Sequence, residues 1–230
     1  MMDNFWDGPL PKPGERTVED MRCVLADKSA TAEKILYFMY RDLSKSSEDK
    51  KWLSDNKLRY DITVIPPCIL GREYVKTKGH YHPDAPCGLG YPELYQVISG
   101  EAHFLLQKKD LSDIYAVKAK AGDIVIIKPG YGHVTINPGD ETLIMANIVS
   151  DGFESEYDSY TKMHGAAYYE FTGGEFVKNP YYGNLPQIKI MNSAKFPIQG
   201  IYGKKSIYDL IGDEVLLEFL NNPSVLKNIL

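Results

Sequence analysis

The chain has 230 residues, a formal net charge of −5, 43% hydrophobic residues and 25% charged residues. That composition is of a folded soluble protein, not a disordered chain, and the acidic balance argues against a nucleic-acid surface. The longest apolar runs, Ile35 to Tyr40 and the broken run Leu143 to Val149, are far short of a membrane span; the N-terminus with Asp3 and Asp7 has no secretory pattern; and the widely spaced Cys23, Cys68 and Cys87 make neither a disulfide framework nor a zinc ribbon, so a reducing cytoplasm is expected.

Residues 1 to about 58 read as a preamble to the main domain. Pro9, Pro11, Pro13 and Gly14 make an extended opening. Thr17-Val-Glu-Asp20 is a capping-type helix start. Thr31 to Arg41 reads as a helix or a strand, and Ser46 to Asn56, charged apart from Trp52 and Leu53, as a surface helix. From about residue 60, short β-branched and aromatic runs alternate with Gly, Pro and Asn turns. The predicted strands are 60–65, 73–78, 94–99, 102–107, 114–119, 123–127, 133–136 and 143–149. Tight turns are expected at Ser99-Gly100-Glu101, Ala121-Gly122-Asp123 and Asn137-Pro138-Gly139-Asp140. Short strands at regular spacing predict an all-β sandwich or barrel. Neither α/β alternation nor a Gly-rich phosphate loop is present. The segment from Ser193 returns to helix, most clearly over 206–221 around Gly212.

Two of the five histidines stand as His80-Tyr81-His82. On a strand, positions i and i+2 share a face, so two imidazoles can grip one cation from one wall of a barrel. Glu93 follows across a Pro- and Gly-rich loop, and His133 follows Lys128-Pro129-Gly130-Tyr131-Gly132. Three imidazoles and a carboxylate suit iron, zinc, manganese or nickel, with positions left for water or substrate.

The spacing His80-x-His82, Glu93, Gly100 and then Gly122, Pro129, Gly130, His133, Asn137 resembles the two motifs of the cupin family. Within cupins, the run from Thr63 to His82, with Thr77-Lys-Gly79-His80-Tyr-His82, resembles the cupin-type glucose-6-phosphate isomerases of archaea and some bacteria. Glu93-x-Tyr95, Leu105-Leu106-Gln107, Pro129-x-Tyr131-x-His133 and Asn137-x-Gly139-Asp140-Glu141 continue the resemblance, as do Asp20-Met21 upstream and Val177-Lys-Asn179-Pro180 downstream. It covers about residues 15 to 182.

The resemblance implies a cupin barrel over 59–182, flanked by an N-terminal arm over 1–58 and a helical tail over 183–230. It implies metal-dependent interconversion of glucose 6-phosphate and fructose 6-phosphate by hydrogen transfer between C1 and C2. His80, His82, Glu93 and His133 would hold one divalent ion, iron first, with zinc, manganese or nickel as alternatives. Glu93 would also act as base with Tyr95 beside it. Thr63, Thr77, Gly79 and Tyr157 would contact the sugar phosphate. A cytoplasmic homodimer is expected. An iron dioxygenase using the same ligands and a non-catalytic sugar-binding cupin stay open as alternatives.

Several positions depart from that pattern. The first motif lacks its opening glycine, the loop between His82 and Glu93 is longer, and Pro129 sits one place late. Glu154-Ser155-Glu156-Tyr157 stands where the family commonly has Gly-His-Asp-Tyr, so Ser155 replaces a histidine. His164 and Cys87 read as a surface histidine and a plain thiol. Regular strand phase would put Lys76 and Lys78 beside His80 and His82, where two ammonium groups would repel a cation. A bulge or turn at Gly79 is therefore expected to turn both lysines to solvent, the alternative being that one reaches the substrate phosphate.

Overall fold

The computed structural model describes residues 5–32, 35–193, 200–201 and 205–228. The chain opens with strand β1 (Gly14–Arg16) and the one-turn helix α1 (Val18–Met21), then β2 (Tyr37–Tyr40) and α2 (Ser47–Asp55). Both helices start where capping chemistry places them. The Thr17 hydroxyl accepts from the Asp20 N–H while Asp20 accepts from the Thr17 N–H, and Ser46 Oγ accepts from the Asp49 N–H at 3.0 Å.

Strand β3 (Leu58–Ile65) leads into the short β4 (Ile69–Leu70) and β5 (Glu73–Tyr74). Then come β6 (Glu93–Ser99), β7 (Glu101–Lys108), β8 (Ile114–Lys120), β9 (Ile124–Ile127), β10 (Tyr131–Ile136) and β11 (Leu143–Ser150). After helix α3 (Asp158–Lys162) come the hairpin β12 (Tyr168–Phe171) and β13 (Glu175–Lys178), strand β14 (Lys189–Asn192) and helix α4 (Glu214–Leu217). One sheet has the order β1-β2-β3-β11-β6-β9, a second β10-β7-β8-β14, and a third, smaller one β13-β12-β5-β4. The pairings are antiparallel except β14 on β8, which is parallel and covers the edge of β8.

The chain is thus an all-β barrel with helical extensions, as the spacing of strands and turns predicts. Several segments differ from the sequence expectation: the hairpin β12–β13 is not among the expected strands, and β14 is a strand inside the tail expected to be helical over 183–230. The strand expected over 73–78 stops at Tyr74, and Lys76 makes only an isolated bridge to Ile136. In the ambiguous segment 31–41, Tyr37–Tyr40 form strand β2, which joins the barrel sheet beside β3. The C-terminal helix breaks at Gly212, whose φ is +102°, into a 3-10 turn (Ile207–Leu210), α4, and further 3-10 turns (Glu218–Leu220, Pro223–Asn228). The rest of the helical expectation, at 194–199, 202–204 and 229–230, lies outside the described residues.

Two apolar clusters follow from period-2 alternation. Ile65, Val97, Phe104, Val125, Val134 and Met145 fill the barrel interior. Tyr60, Ile62, Val64, Leu94, Ala146 and Ile148 point outward and pack with Leu210, Leu217, Phe219 and Leu220 of the tail. With both faces covered, β3 and β11 are buried over nearly their whole length. Polar contacts fix the tail in register. The Gln96 amide donates to the Lys205 carbonyl (3.0 Å) and accepts from the Ile207 N–H (2.9 Å), while the Tyr208 hydroxyl donates to Asp49 (2.7 Å) and accepts from the Lys45 N–H (2.6 Å).

Candidate metal centre

Strand β6 presents Glu93 and Tyr95 inward, and β10 presents His133. His80 and His82 stand after β5 on irregular backbone, pinned by a two-way hydrogen bond between the His80 and His133 main chains (3.3 and 3.0 Å). The turn expected at Gly79 is present: its φ is +80°, and a Cβ there would lie 2.6 Å from Tyr160 and Val134, so only glycine fits.

Four donor atoms converge within 4.8 Å of one another, from His80, His82, Glu93 and His133. His80 Nε2 lies 3.1 Å from His82 Nε2, and Glu93 Oε2 lies 3.4 Å from His82 Nε2 and 3.3 Å from His133 Nε2. Donors held about 2.1 Å from one ion stand roughly 3–4 Å apart, so this spacing suits a shared cation. The His82 Nδ1–H faces the Tyr91 carbonyl at 2.8 Å, which leaves the Nε2 lone pair directed into the cluster, the second-shell arrangement of a ligating imidazole. Buried Glu93 Oε2 has no hydrogen-bond donor of its own, and two imidazole nitrogens facing each other at 3.1 Å call for a proton or a cation between them.

The electrostatics agree. Burial, reinforced by its histidine neighbours, pushes His80 well below the ordinary imidazole range, and burial lowers His82 to about 4 against the opposing pull of Glu93. Burial pushes Glu93 up, but the neighbouring His133 and His82 outweigh it and leave the carboxyl below its usual range. Neutral His80 and His82 and an ionised Glu93 are the states a divalent ion requires. Burial and the neighbouring Glu93 push Tyr95 well above an ordinary phenol, so its hydroxyl stays protonated; it lies 3.3 Å from His133 Nε2.

Thr63, Thr77, Gly79, Ser155 and Tyr157 all line the same cavity. Thr77 Oγ1 accepts from the Thr135 N–H at 2.9 Å, and the Tyr157 ring lies 5.4 Å from that of His80. Other residues from the motifs serve the scaffold. Asn137 Nδ2 donates to the Ile65 and Glu141 carbonyls, and Asn179 Nδ2 to those of Met163 and Ala166. Among the other histidines, His103 is bound to buried Glu170 at 2.8 Å, and the His164 ring lies 4.0 Å from that of Tyr181 at a tilt of 56°. Cys87 is exposed.

The solvated reading of the lysines is corrected. Lys76 is 3% exposed, paired with buried Glu73, and its ammonium lies 4.7 Å from the Tyr169 ring. Lys78 is half-buried in the cavity wall. Sequence reasoning also missed Arg41, Arg59, Asp61, Asn147 and Phe153, which line the same cavity. One signal was present: Arg59, Asp61 and Thr63 alternate with Tyr60, Ile62 and Val64, a polar stripe on one face of a predicted strand.

An antiparallel barrel with three imidazoles and a carboxylate converging inside it defines the cupin class of barrels. Within that class, residues 15–187 match the family described as Glucose-6-phosphate isomerase (GPI), and the chain belongs to that family. It is 29% identical over 176 residues to the glucose-6-phosphate isomerase of Thermococcus onnurineus, covering 75% of this chain and 88% of that protein. It is 28% identical to that of Thermococcus gammatolerans, covering 72% and 85%. A structure of Bacillus subtilis oxalate decarboxylase, a protein with Mn(II) centers, superposes with a TM-score of 0.39 at 22% identity; the match covers 53% of this chain and 28% of that one.

Proposed function

We propose that this chain interconverts glucose 6-phosphate and fructose 6-phosphate, using a divalent ion held by His80, His82, Glu93 and His133. The observation that carries the reading is the convergence of those four donor atoms in a member of this family. When bound, such an ion polarises adjacent carbonyl and hydroxyl oxygens of the sugar as a Lewis acid.

The chain's own residues supply the rest. The Glu93 carboxylate takes the proton from C2 of the open-chain aldose and returns it to C1, while the O2 hydroxyl proton passes to O1, so that C1 becomes the alcohol and C2 the carbonyl. The protonated Tyr95 hydroxyl, two residues along the same strand face, holds the carboxylate's orientation. Thr63, Thr77, the Gly79 backbone and Tyr157 hold the phosphorylated end, so that the reacting carbons meet Glu93 in one pose. His82 and Phe153, whose rings lie 4.6 Å apart, and Tyr91, stacked on Phe153 at 4.7 Å, wall the reacting end. The barrel over 59–182 carries the chemistry, and the arm and tail support it. Iron as the ion, a homodimer and a cytoplasmic location belong to the same proposal.

The test is a coupled assay converting fructose 6-phosphate to glucose 6-phosphate, with and without chelator. Turnover abolished by chelation and restored by added metal is expected. No conversion by the metal-loaded protein overturns the reading, and substrate-dependent oxygen consumption supports the dioxygenase instead.

A further inference from the structure

The proposed substrate carries a phosphoryl dianion, yet the chain as a whole is acidic, at −5. The cavity reverses that sign locally. Its wall holds Arg41, Arg59 and Lys78 against the carboxylates of Asp61 and Glu93, before any metal is counted. The two arginines share Asp61, whose side chain is only 7% exposed. Arg59 Nε donates to Asp61 Oδ2 at 2.9 Å and its Nη1 lies 3.6 Å from Asp151, so Arg59 is committed. Arg41 is not. Its Nη1 reaches Asp61 Oδ2 at a long 3.5 Å, and among the described residues its Nη2 has only the Met39 sulfur at 3.6 Å, a weak acceptor.

The position of Arg41 is nonetheless built. The next residue, Asp42, sits in the left-handed region at φ +57°, and its N–H donates to the other Asp61 oxygen at 3.1 Å. One buried carboxylate therefore fixes the backbone turn after Arg41, steadies its guanidinium and locks Arg59. Strained backbone persists where its surroundings determine it, and such places cluster at ligand sites. Register then locates the guanidinium: it lies against Met39, and Met39 is the cross-strand partner of Thr63.

We propose that Arg41 is a phosphate-binding residue, its guanidinium held by Asp61 beside Thr63 so that its unsatisfied N–H groups meet the phosphoryl oxygens of the sugar. This rests on the isomerase reading. Asp61 acts as the positioning residue and Arg59 as its counter-ion. A guanidinium offers two parallel N–H donors that match phosphate geometry, and an anion there replaces a weak thioether contact with charge-assisted hydrogen bonds.

The experiment uses Arg41→Gln, Arg41→Lys and Asp61→Asn in the metal-loaded full chain. Arg41 is 44% exposed and its ion pair is long, so Arg41→Gln is expected to fold and melt like the parent. The readouts are KM and kcat for fructose 6-phosphate and, separately, binding of inorganic phosphate by calorimetry. Arg41→Gln is expected to raise KM and to weaken phosphate binding together, each by about 10- to 100-fold, with kcat within about threefold. Arg41→Lys is expected to recover part of both, and Asp61→Asn to move KM and phosphate binding the same way with kcat kept. Unchanged KM and phosphate binding in Arg41→Gln overturns the proposal, as does a fall in kcat with KM unchanged. If the parent fails to isomerise any hexose phosphate, the isomerase reading falls, while calorimetry of parent against Arg41→Gln still decides the phosphate site.

Discussion

On β3 the inward residues are Arg59, Asp61 and Thr63, and the outward ones are Tyr60, Ile62 and Val64. On β11, Met145, Asn147 and Val149 line the cavity, while Ala146 and Ile148 face the tail. On β6, Glu93 and Tyr95 reach the His and Glu donor cluster, while Leu94 packs outward and Gln96 binds the tail backbone. One sheet thus carries two chemistries. The inner face holds charge, hydroxyls and imidazoles, which cost stability to bury. The outer face is an apolar seam with a few hydrogen bonds to the tail, and it offsets that cost. Because side chains alternate strictly, damage on one face is expected to spare the other's role. The predictions below test that separation.

The largest expected effect is on the inner face. His133→Ala removes a buried ligand, and metal content and turnover are expected to fall together to background, measured by elemental analysis and the coupled assay. Midpoints of thermal unfolding, compared for metal-free parent and metal-free variant, are expected to differ little. Metal added to the parent is expected to raise its midpoint, because ligands of the folded state stabilise by mass action, and to leave the variant unmoved. A variant that unfolds outright without metal would show that the two faces are not separable.

Next is Glu93→Gln. The amide keeps the shape and one weak donor oxygen but accepts no proton. Turnover is expected to drop about 10²- to 10⁴-fold while much of the metal and the sugar-phosphate affinity stay. Turnover within a few-fold of the parent, with metal bound, would move the chemistry to a hydride shift. Substrate deuterated at C2 then distinguishes the routes, since wash-out of label follows proton transfer and retention follows a hydride shift.

How much of this division was legible in the sequence depends on how local its signals are. Most of the strands from 58 to 150 and the tetrad could be read, because period-2 alternation and the His-x-His, Glu, His spacing are written in short stretches. Lys76 was misread because strand phase fails once the ladder stops at Tyr74. Its partner Glu73 is close in sequence, but the Tyr169 ring that completes the pocket is far away. The hairpin β12–β13 was missed for a similar reason: Glu170 in Tyr168–Phe171 is an unlikely strand residue until His103, 67 positions earlier, pairs with it. Arg41 carries no local signal for the cavity, because the Asp61 that it shares with Arg59 lies on another strand. The tail's use was invisible, since covering a sheet face needs only apolar residues in short irregular turns.

The outer face is expected to respond in stability alone. Leu220 is fully buried against the sheet, and Leu220→Ala is expected to cost about 2–5 kcal/mol by losing burial and leaving a cavity. Denaturant unfolding measures that cost. The kcat/KM of the folded fraction is expected to match the parent, and a fall beyond about threefold would show that the tail shapes the cavity.

The smallest effect probes the join between the faces. Gln96 follows Tyr95 on β6, and its side chain is 5% exposed on the outward side. Its amide satisfies both the Lys205 carbonyl and the Ile207 N–H. In Gln96→Ala both backbone groups lose their partner under a covered surface, which costs about 1–3 kcal/mol if water does not reach them. Gln96→Glu is the sharper comparison. The carboxylate can still accept from Ile207 N–H, but in its ionised form it cannot donate to Lys205 and places two acceptors face to face. The alanine variant is therefore expected to be less stable than the parent and the glutamate variant no more stable than the parent, while KM, kcat and metal content stay within about twofold in both. Were metal content to fall in either variant, the backbone of β6 would be carrying strain from the tail to Glu93, and the alternation of side chains would not be enough to keep the two faces apart.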